Sequence, residues 1–246
     1  DCLVIGAGYA GSVAAREMAE RGGRRVLVLE RRGHVGGNAY DCLDERGVLI
    51  HQYGPHIFHT SNKRVFDWLS RFTGWRRYQH RVIANLPRDN PEVVPARKKS
   101  DGRFCFPVPF NLDSLENAFG AQDGKRLGQK LLDAYPAQSQ VTILELRQNP
   151  DPEIAAIAEY VYEHVFVHYT MKQWGQTPEE IDPATTARVP VRLSRDDRYF
   201  QDAYQGMPLE GYTPMFQKIL DHPNITVELG VEARDRVKLE GGTVTL

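Results

Sequence analysis

The stretch Cys2-Leu-Val-Ile-Gly-Ala-Gly-Tyr-Ala-Gly11 ("CLVIGAGYAG") decides how this chain is read. Four residues of strand character, Cys2 to Ile5, run directly into Gly6, Gly8 and Gly11 at G-x-G-x-x-G spacing. Behind them Val13, Ala14, Met18 and Ala19 recur on one helical face. A second strand pattern, Arg25-Val-Leu-Val-Leu-Glu30, ends on an acid 19 residues after the last glycine. The fingerprint alone is a weak signal, but strand, glycines, helix, strand and terminal acid in this order predict a βαβ unit that binds a dinucleotide. Glycines let the backbone approach a pyrophosphate, the helix N-terminus faces its charge, and Glu30 is placed to accept the ribose hydroxyls. Tyr9 and Ala10, carried between the glycines, are assigned to the same site.

Directly after Glu30 comes Arg31-Arg-Gly-His-Val-Gly36-Gly37-Asn38. A glycine doublet soon after the acid resembles the extension of FAD-binding oxidases and related flavoproteins, so FAD is favoured over NAD. Arg31, Gly36, Gly37 and Asn38 join the candidate cofactor site. Further on, His51-Gln-Tyr-Gly-Pro-His-Ile-Phe-His59 holds three histidines in nine residues, which raises a metal site, an acid/base pair or a cofactor-pocket lining as readings. Gly54 and Pro55 predict a tight turn between the histidines, so the three cannot share a helical face. His59 is left between a structural role and a pocket role.

Lys plus Arg (31) nearly equals Asp plus Glu (32), so no global field favours nucleic acid or a membrane surface. Apolar runs of a few residues fall far short of the ~20 needed to span a bilayer. Cys2, Cys42 and Cys105 are odd in number and lack Cys-x-x-Cys spacing, which points away from a disulfide framework or zinc ribbon and toward the cytoplasm. The chain opens on Asp1 just before a strand and stops at Leu246 within another, as a piece of a longer protein would.

Beyond the βαβ unit, Ser61 to about Phe72 is predicted helical behind a Thr/Ser N-cap. Tyr78 to Ala84 and Arg103 to Phe110 form a hairpin with a long tip, whose Arg97-Lys98-Lys99 cluster reads as a solvated loop rather than a nucleic-acid contact. Helices follow at Leu115 to Phe119, Leu127 to Tyr135 and Ser139 to Leu146, and another opens at Asp151-Pro152. Thr213 to Leu220 and Ile225 to Gly230 return to a helix and a strand. The fold class expected is α/β, a Rossmann-like FAD-binding domain with an inserted helical domain and part of an antiparallel sheet domain. The expected division is 1–74 with 212–246 (FAD binding), 75–110 with 189–211 (sheet and substrate), and 111–188 (helical, with a lid loop).

Gly36-Gly-Asn-Ala-Tyr40, Tyr53-Gly-Pro-His-Ile-Phe-His-Thr60, Tyr169-Thr-Met-Lys-Gln-Trp-Gly175, and Arg188-Val-Pro-Val-Arg192 with Tyr199 to Gly206 stand in this order. With them the chain resembles the bacterial UDP-galactopyranose mutase family from Asp1 to about Gly230, the first two-thirds of that family. The resemblance implies interconversion of UDP-galactopyranose and UDP-galactofuranose by reduced FAD, without net redox change. It implies attack of the flavin N5 on the anomeric carbon and ring opening through a flavin-iminium sugar adduct. It places the Tyr53-Gly54 turn and His56 against the flavin, stacks Tyr169 on uracil, sets Trp174 near the sugar and diphosphate, and counts Thr170 among the substrate-binding residues. It closes Arg188 over the diphosphate, puts Tyr199 on phosphate, and sets His80 on the substrate side. Phe166 completes the base pocket or packs in a core. Arg188 and His56 are the candidate catalytic residues. The implied partners are UDP-galactose, UDP-galactofuranose and NAD(P)H or another electron donor, and a homo-oligomer is allowed. Two other readings stay open: an amine-oxidase-type redox flavoenzyme, and a noncatalytic nucleotide-binding fragment.

Overall fold

Cys2–Ile5 (β1), Tyr9–Glu20 (α1) and Val26–Glu30 (β2) form the βαβ unit, with β1 and β2 parallel and Cys2 opposite Val26. The computed structural model describes residues 1–86, 104–167, 170–172, 175–176, 180–181, 190–240 and 243–245. Ser12, Ala15 and Ala19 are the buried stripe of α1, small enough to let the helix lie close on the sheet. Next come a hairpin of Asp41–Leu43 (β3) and Leu49–His51 (β4), then Phe58–Thr60 (β5), Lys63–Leu69 (α2) and Trp75–Arg77 (β6). The cap of α2 is Asn62, not the Thr or Ser expected, because its carboxamide oxygen accepts from the Arg64 N–H at 3.0 Å while Thr60 Oγ1 is spent on the Asn62 N–H.

The chain then builds a second unit, residues 79–201, before returning to the first, which comprises 1–78 and 202–246. Val82–Leu86 (β7) and Phe104–Val108 (β8) pair antiparallel; the hairpin tip with its Arg97-Lys98-Lys99 cluster lies outside the described residues. Leu112–Phe119 (α3), capped by Asn111, meets Ala121–Ala134 (α4) at Gly124, where a Cβ would stand 2.4 Å from the Glu116 Cα. Gln140–Val141 (β9) precedes Ile143–Arg147 (α5), which opens on a Thr142/Glu145 capping box. Pro152–Val161 (α6) starts as read from the sequence, with Asp151 accepting from the N–H groups of Glu153 and Ile154. Val191–Arg192 (β10) pairs with β9. Phe106, Phe110, Leu115, Leu131, Ile154 and Ile157 form this unit's core.

On its return the chain lays Tyr204–Pro208 (β11) between β5 and β6, antiparallel to both. Tyr212–Leu220 (α7) packs on α1, and Ile225–Leu229 (β12) joins β2 in parallel, completing the sheet order β1-β2-β12. Ala233–Arg236 (α8) and the ladder of Lys238–Glu240 (β13) with Thr243–Thr245 (β14) follow. β2 is buried along nearly its whole length because strands flank it on both sides, which explains its unbroken Val-Leu-Val-Leu run. No helix among the described residues is long and apolar enough to cross a membrane.

The α1–α2 contact rests on charge as well as packing. Glu20 accepts from Arg16 at 2.9 Å and from Arg71, and Trp68 Nε1 donates to Glu17 at 2.5 Å. The guanidinium groups of Arg71 and then Arg16 hold the Glu20 carboxyl down to about 2. Its folded-state value is depressed, so its contribution is complete above the ordinary value of 4.5 and disappears as pH falls toward about 2. Glu20→Gln is therefore expected to flatten the fall of the thermal midpoint across that window relative to the parent. Superimposable acid limbs would mean that the pair contributes nothing in solution.

Candidate functional site

The glycines of the fingerprint each answer a different steric demand. Gly6 takes φ +94° and its N–H donates to Leu29 O at 2.8 Å, which turns the chain out of β1. At Gly11 a Cβ would stand 1.8 Å from the Gly6 carbonyl oxygen, so α1 meets its own entry loop with no room for a side chain. Gly8 is the N-cap of α1, and no side chain caps that end, leaving its first-turn N–H groups for a ligand. The doublet sits on this loop: Gly36 N–H donates to Ala7 O at 2.8 Å, and a Cβ on Gly37 would stand 3.0 Å from the Gly8 Cα. Tyr9 packs edge-on to Phe216 at 4.7 Å, and burial with Tyr212 and Asp41 nearby pushes its hydroxyl far above the usual range, so it stays protonated.

Glu30 is buried, and its carboxylate is already engaged on both oxygens. Oε2 accepts from Ala7 N–H at 2.7 Å and Oε1 from Arg32 N–H at 2.8 Å. One function of this acid is thus to fix the glycine-rich loop; it also lines a cleft of about 190 Å³ together with Ile5, Gly6, Arg31, Val231 and Glu232, among others. That cleft lies at the carboxyl ends of the parallel strands, where open α/β sheets bind ligands. Its far wall comes from Val231, Glu232 and Ala233, which sequence reasoning missed. The signal for them was the β12 pattern itself, since the residues after it must reach the same sheet end as Glu30.

The other cofactor candidates gather around the doublet. Asn38 Oδ1 accepts from Arg32 Nη2 at 2.8 Å, and the Arg32 guanidinium lies over the Tyr53 ring at 4.3 Å. His34 bonds the Tyr53 hydroxyl at 2.8 Å and stacks on Tyr40. Gly54 takes φ +93°, and its carbonyl lies 3.1 Å from His56 Nδ1, while His56 N–H donates to His51 Nδ1 at 3.2 Å. The predicted turn is present and folds His56 back on its own loop. His59 Nδ1 bonds Asp202 at 2.7 Å, and Ser61 donates to the other carboxylate oxygen at 2.9 Å. Burial raises the Asp202 carboxyl, but the bonds from His59 and Ser61 outweigh it and hold the group below its ordinary value. Among the described residues no group of three or more His, Cys, Asp or Glu side chains is placed to hold a metal ion. Cys2, Cys42 and Cys105 are free thiols.

In the second unit, Tyr199 N–H donates to His80 O at 2.8 Å and the two rings meet edge-on at 5.7 Å. Two candidates separated by over a hundred residues are thereby brought together. Phe166 is buried within the core of that unit, and Thr170 is buried as well. Tyr169, Trp174 and Arg188 lie outside the described residues. Of the nearby arginines, Arg198 pairs with Asp196, Arg195 with Asp113 and Glu116, and Arg192 bonds Gln140.

A buried residue singled out by nothing in the sequence anchors the returning helix. Asp41 accepts from Tyr212 N–H at 2.6 Å and Thr213 N–H at 2.7 Å, capping α7 from 171 residues away. Gly211, at φ +101°, gives the carboxylate its space, because a Cβ there would lie 2.8 Å from Asp41 Oδ2.

An uncapped helix N-terminus behind a glycine fingerprint, a glycine doublet seated on it and a carboxylate-lined cleft define a Rossmann-type flavoprotein, with FAD as the dinucleotide. Residues 4–72 match the NAD(P)-binding Rossmann-like domain family, and residues 164–244 match the UDP-galactopyranose mutase family. Over 228 residues the chain is 36% identical to a probable UDP-galactopyranose mutase of Klebsiella pneumoniae, covering 92% of this chain and 54% of that protein. Over 229 residues it is 35% identical to a dTDP-fucopyranose mutase of Escherichia coli, covering 93% and 56%. A crystal structure of reduced UDP-galactopyranose mutase shares the fold, with TM-score 0.54 and 21% identity over 96% of this chain and 51% of that one. The chain is homologous to the UDP-galactopyranose mutases, and it spans a little over half the length of these relatives rather than the two-thirds expected.

Proposed function

We propose that this chain forms the FAD-binding and part of the substrate-binding portion of a mutase that interconverts UDP-galactopyranose and UDP-galactofuranose. The observation that carries the reading is that the dinucleotide cradle and the mutase family match at residues 164–244 occur in one chain, at opposite ends of it. FAD, when bound in reduced form, supplies a nucleophile that is regenerated, so the reaction has no net redox change. The protein's part is then to bind, orient and exclude water.

Gly6, Gly8 and Gly11 with Gly36, Gly37 and Asn38 hold the dinucleotide by close backbone approach and helix N–H groups, and Glu30 and Arg31 line its ribose end. Tyr53, Gly54 and His56 line the flavin. Tyr169, Thr170 and Trp174 take the base and sugar diphosphate, Tyr199 and His80 stand on the substrate side, and Phe166 supports them from the core. Arg188 holds the departing diphosphate, since a guanidinium fork matches phosphoryl oxygens in charge and shape. NAD(P)H or another donor reduces the flavin, and the protein works in the cytoplasm, where its free thiols persist.

The test is to incubate the protein with UDP-galactofuranose, with and without dithionite, and follow the pyranose by chromatography. Conversion with reduced flavin only is the expected result, and Arg188→Ala should lose most turnover, about 100-fold or more, with bound FAD unchanged. Amine or alcohol oxidation with oxygen uptake would overturn the reading in favour of an oxidase. Tight UDP binding without turnover would favour a noncatalytic fragment. Near-equal identity to a dTDP-fucopyranose mutase and a UDP-galactopyranose mutase supports a second substrate reading, so dTDP-fucofuranose belongs in the same assay.

A further inference from the structure

The sequence assigns Arg31 to the cofactor, yet its side chain is exposed, and the next residue is the one the fold turns inward. Arg32 is positioned at three points. Its N–H donates to Glu30 Oε1 at 2.8 Å, its Nη2 donates to Asn38 Oδ1 at 2.8 Å, and its guanidinium carbon sits 4.3 Å from the centre of the Tyr53 ring. Its Nη1 is buried with no hydrogen-bond acceptor, and no carboxylate among the described residues forms an ion pair with the group. A buried cationic N–H that is positioned but unpaired is costly, and the cost is removed when a ligand brings the acceptor. Asn38, which holds the guanidinium, follows the Gly36-Gly37 doublet that lies against Gly8 at the uncapped start of α1, where an anion is stabilised. Asn38 and Tyr53 are both exposed, so they can shift to admit the ligand.

We infer that Arg32, not Arg31, is the arginine that binds the diphosphate of the dinucleotide, with Asn38 and Tyr53 holding its guanidinium ready. The inference rests on the FAD reading above. A guanidinium held by one neutral acceptor and one aromatic face keeps its full charge for a phosphoryl oxygen, and the resulting bond is charge-assisted. Stacking on Tyr53 restricts the side chain before the ligand arrives, which reduces the ordering cost of binding.

The experiment is a titration of the cofactor-stripped protein with FAD, read by quenching of flavin fluorescence, for the parent, Arg32→Gln, Arg32→Lys and Arg31→Gln. Each apo protein's thermal midpoint is measured alongside. Loss of one charge-assisted bond predicts an FAD Kd raised about 10- to 100-fold in Arg32→Gln, with Arg32→Lys between it and the parent and Arg31→Gln, at the ribose end, raised less than Arg32→Gln. Added salt should weaken FAD binding less in Arg32→Gln than in the parent. If the parent binds FAD and Arg32→Gln binds it equally well, the inference falls while the cofactor reading stands. If the parent takes up no FAD, the cofactor reading itself falls. Should Arg32→Gln fail to fold, Arg32→Lys decides: parent-like affinity at a parent-like midpoint overturns the assignment.

Discussion

Gly11→Ala is expected to abolish FAD binding and to destabilise the first unit by at least about 3 kcal/mol, the upper end of ordinary overpacking. The reason is geometric. The new Cβ would stand 1.8 Å from the Gly6 carbonyl oxygen, 3.0 Å from its carbon and 3.2 Å from Val4 Cγ1. The nearest obstacle is backbone, not the end of a flexible side chain, and Gly6 cannot rotate away without leaving its φ of +94° and its bond to Leu29 O. Relief therefore requires α1 to move off the end of β1, which carries the helix N-terminus away from the place where a pyrophosphate would sit. Gly8→Ala provides the contrast, since its Cβ would meet only the Gly37 Cα at 3.7 Å, an ordinary contact. That variant should fold with a near-parent urea midpoint while binding FAD less well, because the methyl occupies the surface the cofactor approaches. The two are separated by urea denaturation and by flavin absorbance of the purified proteins. A soluble Gly11→Ala carrying a full complement of flavin would show that the loop is not packed as described.

What the sequence discloses follows the range of the interactions involved. The βαβ unit is legible because its determinants are local: a strand run, three glycines, a helical stripe and an acid lie within thirty residues. The caps Asn111, Thr142 and Asp151 are local too, although only Asp151 stands out, because proline follows it. β3, β5, β6 and β9 to β11 are not legible. They are two to five residues long, and β5 and β6 reach their partner β11 across more than a hundred residues, so no window contains the pattern that makes them strands.

The candidate site divides in the same way. The glycine positions follow from local spacing, whereas the partners of Glu30 do not: the acid at the end of the second strand suggests a ribose, and the fold first uses it to tie Ala7 to Arg32. The histidine run shows the limit most directly. Three histidines in nine residues invite a shared function, but His51 and His56 bond within their own loop, while His59 bonds Asp202, 143 residues away. Tyr169, Trp174 and Arg188 depend on family resemblance, since nothing in their local spacing specifies a uracil or a diphosphate.

Asp41→Ala is expected to cost about 3–5 kcal/mol, more than a typical helix cap, because two donors at a buried site lose their acceptor together. Asp41 is 2% exposed and its carboxylate takes the N–H groups of Tyr212 and Thr213 at 2.6 and 2.7 Å, so water cannot replace it without opening the contact. A negative charge at the start of α7 is also stabilised by the positive end of the helix dipole, and burial strengthens that term. Asp41→Asn keeps one acceptor oxygen but turns an NH2 toward the other N–H, so it should lose about 2 kcal/mol, between parent and alanine. The consequence extends beyond stability. Phe216 of α7 backs Gly36, Met215 and Ile219 belong to the core shared with α1, and Arg16 on α1 donates to Asp221 O at 2.9 Å beyond the end of α7. Loosening the start of α7 therefore loosens the glycine doublet, and FAD affinity should fall in the same order as stability. Urea midpoints with flavin titrations on the three proteins provide the check: an alanine variant within about 0.5 kcal/mol of the parent would show the cap to be idle, the range of surface substitutions away from such features. Equal FAD affinity across a large stability loss would show that the doublet is held by its own bond from Gly36 N–H to Ala7 O and not by the helix behind it.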